Sequence, residues 1–118
     1  MRILFAALAA AVFVFTLTPM GRAHHGWSNY DASQKLQVTG PVQRVNYGNP
    51  HATINMAYKS EEWVIVLAPV SRLEARGVTP DKIAVGKILS VTGYPDKSGA
   101  KEIRAEFLTI DGADYQLR

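Results

Sequence analysis

His24, His25 and His51 are the three histidines of a 118-residue chain that contains no cysteine. A thiolate nucleophile, a disulfide framework, a zinc ribbon and an iron–sulfur cluster are therefore excluded, and any metal chemistry rests on imidazole, carboxylate and amine groups. If the chain is processed after Ala23, His24 becomes the first residue, and its free α-amine and imidazole Nδ1 can chelate one ion from a single residue. Nitrogen-rich tetragonal ligation is what Cu(II) prefers, and Cu(II) stands highest in the divalent affinity order. An α-amine with a pKa of about 7.7–8.0 gives up its proton readily to a bound cation, so such a site works at neutral pH. His25 adds a second ring, and His51 closes the candidate metal set His24, His25 and His51. The competing reading is a frayed terminus with two solvated histidines, His51 merely capping a turn.

The terminal chelate depends on export. Met1-Arg2 supply a positive start, and the apolar run Ile3–Leu17 that follows is shorter than the stretch of about 20 residues a membrane-spanning helix needs. Gly21-Arg22-Ala23 places small residues three and one before the expected cut. No Lys/Arg cluster follows as a stop-transfer signal would require. Residues 1–23 are thus read as a cleaved secretory signal, with an uncleaved anchor as the rival. Removing them leaves residues 24–118, with eleven basic and ten acidic side chains. The whole-chain pI near 9.3 is then no nucleic-acid footprint, since no basic stripe remains to neutralise phosphates. The expected address is the periplasm of a Gram-negative bacterium, soluble and off the membrane once the signal is removed.

The remaining chain must position the histidines. Residues 24–35 read as an N-terminal arm, with Trp27 and Tyr30 as anchors and Asp31 either fixing a histidine ring or starting a turn. Extended, the arm spans about 40 Å, enough to follow the first strand and reach the loop after it. Leu36–Thr39 alternates, Gly40-Pro41 interrupts, and Val42–Tyr47 resumes, the pattern of one coiled or bulged strand. Tyr47-Gly48-Asn49-Pro50 is a turn. The strand starting at His51 puts Ala52, Ile54, Met56 and Tyr58 on one face and His51, Thr53 and Asn55 on the other.

Lys59-Ser60 is a hairpin tip before a buried strand over 61–68, and Pro69 and Gly77 bracket a short helix. Ile88–Tyr94 and Glu102–Ile110 are further strands, and Asp111-Gly112 turns into a last short strand at Tyr115–Leu117. Three strands, a helix, two strands and an extension is the order of a mainly β, five-stranded OB-like barrel over residues 36–118, with one short helix between strands 3 and 4. An open β-sandwich is the rival. Trp63, Ile65, Leu67, Ile54, Val91, Ile103 and Phe107 are the expected core.

Other chemical signals are weaker. Gly86-Lys87-Ile88 lacks both the preceding glycine and the Ser/Thr of a phosphate loop. Ser71 and Ser90 show no triad order with the histidines. Tyr47, Tyr58, Trp63 and Tyr94 offer a stacking platform for sugars or single strands, or else core.

The succession His24-His25-Gly26-Trp27, Tyr30-Asp31, Val38-Thr39-Gly40 and Asn49-Pro50-His51 resembles a family of small exported bacterial proteins annotated only as a domain of unknown function. The resemblance extends to the Leu67-Ala68-Pro69, Arg76-Gly77 and Val85-Gly86 neighbourhoods and implies no activity or catalytic residue. The expected function is therefore a periplasmic metal-binding module, copper above all, acting as carrier or buffer without turnover, with a redox enzyme on the same copper as a subsidiary reading. The alternative is a metal-independent β-barrel that binds a periplasmic protein, peptide or glycan.

Overall fold

The computed structural model describes residues 26–118. The expected signal, His24 and His25 lie outside the described residues. Seven strands form one sheet: β1 (Leu36–Pro41), β2 (Arg44–Asn46), β3 (Thr53–Tyr58), β4 (Glu61–Val66), β5 (Ile88–Pro95), β6 (Glu102–Ile110) and β7 (Ala113–Gln116). Among the described residues a single α-helix, α1 (Val70–Ala75), lies between β4 and β5. The strand order is β1-β5-β6-β4-β3-β2, with β7 paired to β6. β4 and β6 run parallel and every other pair is antiparallel. Among the described residues no helix is long and apolar enough to cross a membrane.

Mainly β architecture with one short helix is as expected, but there are seven strands rather than five and the hydrogen-bonded path does not close into a barrel. The two additional strands have distinct causes. The expected first strand divides into β1 and β2 at Val42-Gln43, two residues beyond Gly40, because the peptide groups there bond outside the β1 ladder. Val42 N–H donates to the Lys87 carbonyl, the Val42 carbonyl accepts from Gly86 N–H, and Gln43 N–H donates to Asn55. The segment thereby leaves β5 and joins β3, so β1 and β2 occupy opposite ends of the path. β7 is the C-terminal extension, folded back by Asp111 and Gly112 at φ 49° and 79°, the paired positive dihedrals a two-residue hairpin demands. The Lys59-Ser60 tip does the same at φ 49° and 63° without a glycine.

Alternation decides the core. Ala52, Ile54, Met56, Ile65, Leu67, Leu89, Val91 and Ile103 are buried, closed off by Leu73 of α1, Ile83 and Leu117. Two expected core residues, Trp63 and Phe107, are only partly buried. Trp63 packs edge-on against Tyr58 at the tip end of the β3–β4 hairpin, their ring centroids 5.1 Å apart. Phe107 is turned outward by a β-bulge. Gly93 pairs with Ala105 and Thr92 with Phe107, so Glu106 has no partner and the parity of β6 shifts by one. Ile103 and Ala105 point inward before the bulge, Leu108 and Ile110 after it. Gly93 is required there, since a Cβ at that position would lie 2.2 Å from the Arg104 carbonyl oxygen.

Candidate functional site

The bulge arranges the outward face of β6, and the segment preceding β1 covers it. Trp27–Asn29 forms one turn of 3-10 helix after Gly26, followed by Tyr30 in an isolated antiparallel bridge to Asp96. Asp31 N–H donates to the Pro95 carbonyl at 2.8 Å, and Lys97 N–H to the Asn29 carbonyl at 3.0 Å. The arm is therefore not extended along β1; it is a strap bound to the end of β5. Asp31 starts the turn that follows, its carboxylate accepting from Ser33 N–H and Oγ and from Gln34 Nε2. The Ser33 hydrogen bonds hold the Asp31 carboxyl below its ordinary pKa.

Both expected anchors dock. Tyr30 is 2% exposed and its hydroxyl donates to Glu102 Oε2 at 2.8 Å. Burial first, then that hydrogen bond, pushes the phenol well above its ordinary pKa. Trp27 meets Tyr94 edge-on, centroids 6.3 Å apart. The Arg104 guanidinium lies 4.9 Å from the Trp27 ring centroid and that of Arg118 4.6 Å. The Tyr94 hydroxyl donates to Glu106 Oε2 at 2.6 Å, which raises its pKa. Arg104 is 4% exposed, its Nε and Nη1 have no hydrogen-bond partner, and burial lowers its pKa.

His51 is half-buried and follows the cis Asn49–Pro50 peptide. Its neighbour Ala52 is fixed by hydrogen bonds to Ala68 and Leu67, so His51 lies on the face opposite the buried Ala52, Ile54 and Met56. Arg104 lies on that same outward face, between buried Ile103 and Ala105. One row of the sheet runs from Tyr94 through Arg104 and Val66 to Thr53, and His51 stands two residues before Thr53. Within that row the strap is bridged to the β5 side at Tyr30, and the ring of Trp27 lies over β6. Among the described residues no three His, Asp or Glu side chains gather as a metal cluster.

The tyrosine and tryptophan platform does not assemble. Tyr58 and Trp63 touch each other, Tyr47 donates to the Val78 carbonyl, and Tyr94 meets Trp27. Sequence reasoning also missed Arg104 and Arg118. Buried Ile103 and Ala105 put Arg104 on the outer face, and nothing in its own strand signals that the distant Trp27 covers it. A separate open groove of about 590 Å³ lies between β1 and β6, with Gln37, Thr92, Phe107, Thr109 and Asp114 among its lining residues.

A family model described as a family of unknown function (DUF6152) matches residues 12–104. No curated protein matches the chain.

Proposed function

We propose, for a chain that belongs to the DUF6152 family of unknown function and takes no activity from that membership, a periplasmic copper-binding module that carries or buffers the ion without turnover. Residues 1–23 are a cleaved secretory signal, and the mature chain starts at His24. The α-amine and ring of His24, the ring of His25 and the ring of His51 are the ligands. Copper suits this set because all its donors are nitrogen and none is a thiolate.

The observation that carries the reading is the docking of Trp27 over Arg104. Passing from Tyr30 to Trp27, the strap crosses from β5 toward β6, on the outer face of the sheet where His51 stands. Three residues from Trp27 to His24 extend about 10 Å. The sheet spacing of about 4.8 Å per strand puts the His51 backbone about 12 Å from that of Arg104. Side chains bridge what remains. The OB-like barrel belongs to the same proposal, since one continuous segment, Leu36–Asn46, serves both ends of the strand path.

Isothermal titration of the processed protein with Cu(II) tests the reading, with a free His-His-Gly peptide as reference. Binding tighter than the peptide supports a folded site; equal binding overturns it. A variant that retains one residue before His24 blocks the terminal chelate and should lose most of the affinity. The groove beside Phe107 favours a second reading, a metal-independent site for a glycan or peptide. That reading gains if a periplasmic partner binds both forms equally in the presence of chelator and releases when Phe107 is replaced by Ala.

A further inference from the structure

We infer, resting on the second reading of the groove beside Phe107 as a metal-independent site, that its ligand is an uncharged oligosaccharide, with a pyranose face stacked on the Phe107 ring and the sugar hydroxyls paired with the polar side chains around it. Four paired strands, β1, β5, β6 and β7, form the floor. Their register places Gln37, Thr92, Phe107 and Gln116 in one row across the sheet, and Thr39, Ser90, Thr109 and Asp114 in the row beside it. The bulge turns Phe107 into this face, so a half-buried aromatic ring stands among polar side chains. At about 4.8 Å per strand the four strands span about 14 Å. The groove of about 590 Å³ falls within the range of small-ligand sites, about 300–1,000 Å³.

The polar groups are oriented and keep bonding capacity. Thr109 Oγ1 donates to Asp114 Oδ1 at 2.6 Å, which fixes the carboxylate and leaves Oδ2 to accept. Gln37 Nε2 donates to Ser90 Oγ at 3.3 Å, and the Thr39 and Ser90 hydroxyls lie 2.9 Å apart; Gln37 retains its side-chain carbonyl and a second N–H. Donors and acceptors thus stand side by side, which suits a sugar hydroxyl because it is both at once. Charge and backbone pairing disfavour other occupants. Lys35, just before β1, and Asp114, on β7, are the charged residues of the lining, one of each sign, so neither a polyanion nor a polycation is attracted. A peptide needs partners for its own backbone groups, and the peptide groups under the groove are engaged in the strand ladders. A lone half-buried ring is also too little apolar surface for a second copy of the chain, since homodimer interfaces are more apolar than ordinary surface.

The test uses the processed protein in the presence of chelator, with backbone amide NMR shifts as readout. Maltohexaose, cellohexaose and chitohexaose are titrated in turn, and a pool of uncharged hexapeptides in parallel. Saturable shifts at Gln37, Thr92, Phe107 and Thr109 with one or more saccharides support the assignment and say which linkage the groove takes. Phe107→Ala should weaken that binding by about tenfold, and Phe107→Tyr should retain it, as ring stacking requires. The exposed Gln37→Ala and Asp114→Ala keep the test decisive if Phe107→Ala fails to fold, each weakening binding by about fivefold. Shifts with the peptides and none with the saccharides overturn the oligosaccharide while the groove reading stands; shifts with neither overturn both. Saccharide shifts that leave the groove untouched, or unchanged affinity in every variant, put the sugar elsewhere and overturn the assignment.

Discussion

Replacing Trp27 by Ala separates a docked strap from a loose tail. The indole makes two guanidinium contacts, at 4.9 and 4.6 Å, each worth about 0.5–1 kcal/mol at a partly exposed site. Its edge contact with Tyr94 adds about 0.5–1.5 kcal/mol. Truncation also admits water to the Arg104 guanidinium, which offsets part of the loss, so the net destabilisation should be about 2 kcal/mol. Because Tyr30 remains buried and bonded to Glu102, the strand order should survive. For a domain of this size the change corresponds to a fall in Tm of about 10 °C. If strap docking holds His24 and His25 near His51, losing 2 kcal/mol of docking should weaken Cu(II) binding by about 30-fold. Urea unfolding followed by circular dichroism gives the first quantity, and isothermal titration the second. A stability change below about 0.5 kcal/mol would show that the stack does not anchor the strap. A normal stability loss with unchanged copper affinity would refute the positioning argument, leaving the histidines to act as an unstructured chelator.

His51→Ala should cost about 1 kcal/mol or less, since it lies off the buried face, while weakening copper affinity and altering nitrogen coordination in electron paramagnetic resonance; unchanged spectra would remove His51 from the site. Gly93→Ala places a Cβ 2.2 Å from a backbone oxygen, which no rotamer relieves, so it should destabilise by about 3 kcal/mol and disturb the tryptophan emission of the strap that rests on the bulge. Tyr30→Phe should cost about 1 kcal/mol through the lost hydrogen bond to Glu102. The Tyr30 pKa is raised on folding, so its contribution is complete below the unfolded value of about 10 and is lost as pH rises beyond it. Urea midpoints from pH 8 to 11 should therefore fall more steeply in the native protein than in Tyr30→Phe, and parallel curves would contradict the buried phenol.

Local pattern was enough for most of the elements, because strand alternation, hairpin residues and the proline-to-glycine bracket act over a few residues. β6 has the bounds expected for it, Glu102–Ile110, and the opposite faces of Ala52, Ile54 and Met56 and of His51 and Thr53 were readable from period two alone. The identity of Trp27 and Tyr30 as anchors was also legible, since a Trp and a Tyr on a polar arm need somewhere to bury. Their docking place was not. It depends on a bulge opposite Gly93, which shifts the parity of β6, turns Phe107 outward and brings Glu106 to Tyr94. A one-residue shift of register leaves no mark in the composition of a strand. The division of the first strand at Val42-Gln43 is likewise a tertiary outcome, decided by hydrogen-bond partners 44, 45 and 12 residues away: Gly86 and Lys87 on one side and Asn55 on the other. Arg104 sums up the division of information: period two is enough to put a residue between Ile103 and Ala105 on the outer face, and only the return of a strap 77 residues distant covers it there.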